Sequence, residues 1–503
     1  MSRWMTSRTD GRVAGSADLD ALLPRSRDWR SRFRPNLPGN RICDSGPEGF
    51  PPPQSERLLQ CVWYDNALRP PELRTTEGER VRVLSPGRWN LEAGPDFLGA
   101  VVEIGPQRRR ISGDVEVHLR PGDWEAHGHG ADPRYRNVRW HITYVSGAAP
   151  ESLPRAALRI SLRDALRAMP SFSFDRIDPA AYPYAVRTTP CPCAGILASW
   201  TPEERAQLLE SAGEERVRRK AERIRPLIRD RGEEQLFYEE TLCALGYRDN
   251  KTPFRLLAER IPLEELRAES GGDPEIAYAL LVGCSGLLPE SPRPVWDAET
   301  RRWLRGLWDV WWPRSAKWAD RGFCRADWRL SGFRPSNHPL RRLAAAAWFF
   351  ARPESLFQTL RQDVRAEADG GIRRALAKLS APGGGYWEKR LTIGGAVQRR
   401  PVALLGRARA AAILANALLP ILAALGDREA FRDGWAADLP AEGEAGVLRQ
   451  TSVALFGPDV PPSLIRPALR RQGLLQIFQD FCLHDRSGCR DCDFPGLLSR
   501  GRA

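Results

Sequence analysis

Four of the six histidines, His118, His127, His129 and His141, fall between residues 118 and 141. Imidazole is near its pKa at neutral pH, so such a cluster can bind a metal or move protons. Asp96, Asp114, Glu116, Asp123 and Asp132 occupy the same region. In Gly113-Asp114-Val115-Glu116-Val117-His118 the acid and the imidazole are two residues apart. On a β-strand that spacing puts Glu116 and His118 on one face. Asp96, in Gly94-Pro95-Asp96-Phe97, heads the preceding strand and can reach the same end of the sheet. Asp96 and Glu116 would make an oxygen-rich site of the kind Mg²⁺ or Mn²⁺ prefers. Such an ion lowers the pKa of a bound water and clamps a phosphate oxygen. Asp96, Glu116 and His118 are therefore the candidate catalytic residues. The plainer alternative is a Pro-Asp turn with Glu116 and His118 on the solvent face of a half-buried strand.

Glycines flank His129 in Ala126-His127-Gly128-His129-Gly130, which predicts a loop with accessible imidazoles. His127 and His129 can line the same pocket as substrate contacts or metal ligands. With Asp132 they also suit zinc or iron. Otherwise Trp124 and Tyr135 anchor the loop and the histidines satisfy buried carbonyls. His141, beside Trp140, reads as a core histidine.

Cys482, Cys489 and Cys492 give Cys-x6-Cys-x2-Cys near the end of the chain. A Cys-x2-Cys step sets two thiolates on one metal. Cys193, in Cys191-Pro192-Cys193, is the expected fourth ligand, with His484 as the alternative. The spacing does not separate Zn²⁺ from an iron–sulfur cluster. Cys43, Cys61, Cys243, Cys284 and Cys324 read as small buried hydrophobes. In Phe333-Arg334-Pro335-Ser336-Asn337-His338-Pro339, Asn337 is a plausible N-cap. Arg334, Arg341 and Arg342 would then gather where a helix start favours anions, as a phosphate or carboxylate contact. The alternative is pairing with acids on neighbouring helices.

The elements that must position these groups are legible. A serine cap at Ser55 and helical apolar spacing predict a helix from residue 56. Alternation predicts strands at 81–84, 100–104, 115–119 and 138–144, a turn at Gly105-Pro106-Gln107, and an edge strand at 157–162. From residue 196 the pattern is helical, opening on Thr201-Pro202-Glu203-Glu204. The expected fold class is α+β, a mixed β-sheet domain at 51–195 followed by an all-helical domain at 196–503. Residues 1–50, rich in Arg, Pro, Gly and Ser, read as a disordered tail.

Composition constrains less. The formal net charge is +13, but 71 of the 76 basic residues are arginine, as a GC-rich genome also produces. The charge permits an acidic partner, nucleic acid included, without identifying one. The longest apolar stretch, 410–425, is interrupted by Asn416 and Pro420, so no membrane span is expected. No leader pattern opens the chain, and ten cysteines then suit a reducing, cytoplasmic setting.

Pro95-Asp96 followed by Glu116-Val117-His118 on the next strand resembles the PD-(D/E)xK nuclease superfamily. That resemblance implies Asp96 and Glu116 as metal ligands and His118 in the place of the lysine that orients the attacking water. A remote cysteine with three C-terminal ones is similar to the staple of iron–sulfur members of that superfamily. Across residues 56–496 the chain also resembles domain-of-unknown-function family 2851. The segments that carry this are Glu56-Arg57-Leu58-Leu59-Gln60, Asn90 through Gly94-Pro95-Asp96-Phe97, Gly113 to His118, Asp123-Trp124…His127-Gly128-His129, Phe333 to Pro339, Gly385-Tyr386-Trp387, Asn416…Pro420 and Cys482…Cys489…Cys492. That family implies no activity. The expected function is a metal-dependent nuclease or phosphodiesterase. Two alternatives are a non-catalytic nucleic-acid- or protein-binding scaffold, and a hydrolase with a His-rich Zn or Fe site at His118, His127 and His129.

Overall fold

A computed structural model describes residues 15–33, 53, 55–66, 68–90, 94–169, 172–177, 179, 191–246, 250–318, 328–330, 334–366, 370–381, 383–432, 435–436, 439, 446–457, 459–483 and 489–500. Cys43, Cys324, Phe333 and His484, each assigned a role from the sequence, lie outside the described residues. The fold is α+β, as the residue pattern predicts. Two compact units make up the chain. A sheet unit combines Ser31–Arg205, Ala445–Val460 and Leu474–Ala503, and a helical unit combines Met1–Arg30, Ala206–Glu444 and Pro461–Gly473.

Two expectations change. The helical region is not one continuous domain from residue 196, because its last segment belongs to the sheet unit. Phe478 and Leu483 are buried in the sheet's apolar core, and the Arg57 guanidinium donates to the Leu483 carbonyl at 2.5 Å. Nor is residues 1–50 wholly a tail. Helices Ser16–Leu22 and Pro24–Arg32 form there, and Leu19, Leu22 and Leu23 enter the core of the helical unit. Three leucines among so many arginines are a faint signal, yet burying each stabilises by roughly 1.5–3 kcal/mol.

The sheet comprises β1 (Leu73–Arg74), β2 (Arg80–Ser85), β3 (Arg88–Trp89), β4 (Phe97–Ile104), β5 (Arg109–His118), β6 (Val138–Thr143) and β7 (Leu158–Ser161). The order is β1-β2-β4-β5-β6-β7, with β3 also paired to β4. β4 and β5 form an antiparallel hairpin across the predicted turn, where Gly105 takes φ +68°. β5, β6 and β7 are parallel. Parallel neighbours cannot be joined by a tight turn and need a crossover. Residues 119–137 make the one between β5 and β6, and they carry His127 and His129.

Register then decides what each face holds. Val115 pairs with Trp140 and Val117 with Ile142, and all four are fully buried in the apolar core with Leu59, Val62 and Trp63 of helix Glu56–Tyr64. One residue out of phase, Glu116 pairs with His141 and His118 with Thr143. The opposite face is therefore polar, yet all four of those residues are also buried. Burying polar side chains costs free energy unless they are satisfied, so this face needs an explanation beyond folding.

In the helical unit, residues 407–424 are long and apolar enough to cross a membrane by length and composition, and 78% of that window is buried. Asn416 sits in a π-turn at Leu414–Leu418 and accepts from Lys220 Nζ at 2.5 Å. Pro420, lacking an N–H, follows at the break.

Candidate metal centre

Glu116 and His118 leave β5 on its polar face. The crossover returns over that face by a short helix, Asp123–Ala126, and two single 3-10 turns. Between the first two pieces Gly128 takes φ +70°, a left-handed conformation that glycine adopts without Cβ strain. This reversal sends His127 and His129 to the same point. His127 Nδ1 and His129 Nε2 each lie 3.2 Å from His118 Nε2. Among the described residues, these three nitrogens are the one group of three or more donor atoms within 4.8 Å of one another. A tetrahedral zinc ion with Zn–N bonds of about 2.0–2.1 Å separates its ligand nitrogens by about 3.3–3.4 Å. The observed spacing matches that edge.

Glu116 Oε1 stands 3.2 Å from His129 Nε2 and 3.6 Å from His118 Nε2. Its other oxygen accepts the Asp96 main-chain N–H at 3.0 Å. The site is closed below and open above: His118 and His141 are inaccessible, while His127 is exposed.

Packing fixes the rings. Trp124 is fully buried, stands edge-on to His118, His129 and His141, and donates from Nε1 to Ser152 Oγ at 3.1 Å. Tyr135 stacks on His129 with centroids 3.9 Å apart and donates to the Gly94 carbonyl. Trp124 and Tyr135 thus anchor the loop in the arrangement that brings the three imidazoles together. Behind the triad, His118 Nδ1 and His141 Nε2 are 2.9 Å apart. Burial, with smaller contributions from the charges of Arg159 and His129, pushes the His141 imidazole down to about 4. His141 is therefore neutral at pH 7. It is core, as its Trp140 neighbour predicts, and it is also the partner that orients His118.

Asp96 takes a different place from the one its motif predicts. It is fully buried, with Oδ1 accepting from Gln60 Nε2 at 2.6 Å and Oδ2 from the Val117 N–H at 2.9 Å. It clasps β5 through the main chain, while the imidazoles gather around Glu116. Gln60, one turn after Glu56, is a participant that sequence reasoning missed. A lone Gln in an apolar helix carries no motif. Asp132 also departs from expectation as a partner for the His pair. It caps the turn Pro133–Tyr135 and pairs with the Arg134 guanidinium, which holds its carboxyl down at about 2. Asp114 accepts from the Gly99 N–H and from Asn137 Nδ2, and Asp123 from the Arg120 N–H, so both are structural.

Arg341 and Arg342 are turned to protein acceptors rather than gathered at the helix start. Arg341 is inaccessible and donates to the carbonyls of Trp387, Arg390, Val402 and Ala403. Arg342 donates to Asn337 and to the Leu404 carbonyl. His338, not Asn337, caps helix Pro339–Phe350, accepting the Leu340 N–H on Nδ1. Arg334 is exposed and belongs, like Arg341, to the helical unit rather than the unit of the histidines.

Of the cysteines, Cys191 rather than Cys193 makes the close approach, its Sγ 3.6 Å from Cys489 Sγ. Donation to the neighbouring Cys193 sulfur is the main cause that pushes the Cys191 thiol up to about 11. Cys482 packs against the apolar core of the sheet. Cys492 is partly buried just ahead of helix Phe494–Arg500.

No curated protein and no solved structure matches the chain. The model of one family, described as "Protein of unknown function (DUF2851)", matches residues 56–436. The match spans well over half of the 503 residues and takes in every group of the histidine site. The chain thus belongs to the DUF2851 family.

Proposed function

We propose that the sheet unit is a metal-dependent hydrolase whose ion is held by His118, His127 and His129. The observation that carries this reading is the approach of His127 Nδ1 and His129 Nε2 to 3.2 Å from His118 Nε2 on a buried polar face. Three imidazoles favour a borderline transition metal such as zinc or iron over the oxygen-seeking Mg²⁺ or Mn²⁺. Three protein ligands with an open position are the pattern of catalytic rather than structural zinc. An ion there would lower the pKa of a bound water. Glu116 Oε1, on the same side and anchored through its other oxygen, would accept that water's proton. Exposed His127 marks the side from which substrate enters.

A phosphodiester is the narrower reading of the substrate. It rests on the order Pro95-Asp96…Glu116-Val117-His118, with Asp96 reassigned from ligand to clasp. A net charge of +13 suits a phosphate substrate without demanding one.

The test is metal analysis of the purified protein with a panel of phosphodiester, phosphomonoester and carboxylic ester substrates. The expected result is one equivalent of zinc or iron per chain that is lost in His118→Ala and His129→Ala. Hydrolysis of at least one ester class should disappear on chelation and return with metal. Metal content that is negligible, or unchanged in both variants, sinks the reading.

A further inference from the structure

A second cluster of metal-binding side chains lies in the sheet unit, outside the histidine site. Cys191 precedes helix Pro192–Ala198, and Cys489 lies in the C-terminal segment, 298 residues later. Their sulfurs are 3.6 Å apart and neither is in a disulfide. A disulfide would bring them to about 2.05 Å. A tetrahedral ion with bonds of about 2.3 Å to sulfur holds two thiolates about 3.8 Å apart. The pair therefore stands near the spacing of two ligands on one ion and far from that of a covalent bond.

Four further observations agree. Cys193, two residues on from Cys191, is buried at the start of the same helix. Cys489 takes φ +73°, a left-handed conformation that costs a non-glycine residue, of the kind kept where surroundings or a ligand fix the backbone. Cys492 follows at the x2 spacing that lets two thiolates share a metal. Helix Pro192–Ala198 packs against helix Phe494–Arg500, so both chain segments are already side by side.

We infer that Cys191 and Cys489 are two ligands of a single thiolate-bound zinc ion, completed by Cys193 and Cys492, that pins the C-terminal segment to the sheet unit. Cys482, partly buried against the apolar core, is left outside this set. The spacing also bears on the kind of metal. In a four-iron cluster each thiolate takes its own iron, which spreads the sulfurs further than a shared ion does. Two thiolates at 3.6 Å suit one ion, and soft thiolate ligands select zinc. Binding draws Cys193 and Cys492 onto the pair already formed and releases the thiol protons to solvent.

The experiment uses the full chain, purified under reducing conditions. Zinc, iron and acid-labile sulfide are measured in wild type, Cys191→Ser, Cys489→Ser and, as a control from the helical unit, Cys284→Ala. Each of the first two should lose one equivalent of zinc and the control none. His118→Ala should keep this equivalent, so failure here and failure of the histidine site are told apart. Should the serine variants not fold, wild type refilled with Co²⁺ answers instead, by a thiolate-to-cobalt charge-transfer band absent from a histidine-only site. Wild-type zinc content in folded serine variants, iron with labile sulfide, or a cobalt protein without that band would each overturn the assignment.

Discussion

Asp96 and Glu116 hold each other through the main chain of their strands. The Asp96 N–H donates to Glu116 Oε2 at 3.0 Å, and Asp96 Oδ2 accepts the N–H of Val117, the residue after Glu116, at 2.9 Å. The clasp leaves Glu116 Oε1 facing the imidazoles and uses Asp96 as a brace. This separates the two metal readings of the sequence, because a brace and a ligand respond differently to the loss of charge.

Asp96→Asn should keep the fold and the metal. Asn Oδ1 can still accept the Val117 N–H, and its amide can donate to Gln60 once the Gln60 amide flips. The flip breaks no bond of Gln60 Oε1, which has no partner, but leaves the Gln60 amide N–H groups there without an acceptor. We expect a cost of about 1–2 kcal/mol and a metal content equal to wild type. Asp96→Ala leaves two buried donors without acceptors, at about 1–3 kcal/mol each. Chemical denaturation with metal analysis checks both. Loss of metal in a stable Asp96→Asn protein would return Asp96 to the ligand set.

His141→Leu should weaken metal binding without abolishing it. A ligating imidazole donates its other ring N–H to a fixed acceptor, and removing that acceptor typically costs 10–100-fold in affinity. His118 Nδ1 has His141 Nε2 at 2.9 Å for this purpose. Competition with a chromophoric zinc chelator reads the change. An affinity within twofold of wild type would mean that Trp124 packing alone fixes the His118 ring.

How far the site is legible in the sequence depends on the range of the signal. The two-residue period of Val115, Val117 and the intervening acids places Glu116 and His118 on one face, and the strands follow. Glycines around His129 mark a loop, and Gly128 indeed turns left-handed. What local pattern cannot carry is pairing. That β5 and β6 are parallel, and that the crossover therefore folds over the polar face, is set by residues more than twenty apart in the chain. The same holds for Gln60 reaching Asp96 and for Cys191 reaching Cys489. Arg341 misled for a related reason. A cluster of arginines at a helix start looks the same whether an anion or four carbonyls satisfy it.

Arg341 supplies the next prediction. Its guanidinium serves the carbonyls of Trp387, Arg390, Val402 and Ala403 from an inaccessible position. A planar fork with five donors can do this, and a lysine ammonium with three cannot. Arg341→Lys should destabilise by about 2–3 kcal/mol and Arg341→Ala by more, because buried acceptors are left unsatisfied. Neither should alter phosphate binding to the folded protein. Thermal denaturation with phosphate titration by calorimetry tests the pair. A stable variant that lost phosphate affinity would restore the anion-site reading.

Glu214, in helix Pro202–Arg231, predicts a pH dependence that has nothing to do with either metal. It is 4% exposed, and burial raises its carboxyl from 4.5 to about 7. The Arg25 main-chain N–H donates to it at 2.8 Å, but the Arg25 guanidinium stands 3.9 Å away and is half exposed, so it does not offset burial. A folded-state pKa above the unfolded one means that the native state binds the proton more tightly. Its contribution to stability is therefore fully present below about pH 4.5 and is lost as pH rises through about 7. Each tenfold gain in proton affinity on folding is worth about 1.4 kcal/mol, which sets an upper limit of about 3 kcal/mol between pH 4.5 and 8. Glu214→Gln cannot ionise, so its stability should stay level where wild type declines, and its advantage should be greatest at pH 8. Denaturant midpoints for both proteins at several pH values decide it. Parallel curves would mean that Glu214 is ionised in the native state and that the helix pays for a buried charge at neutral pH.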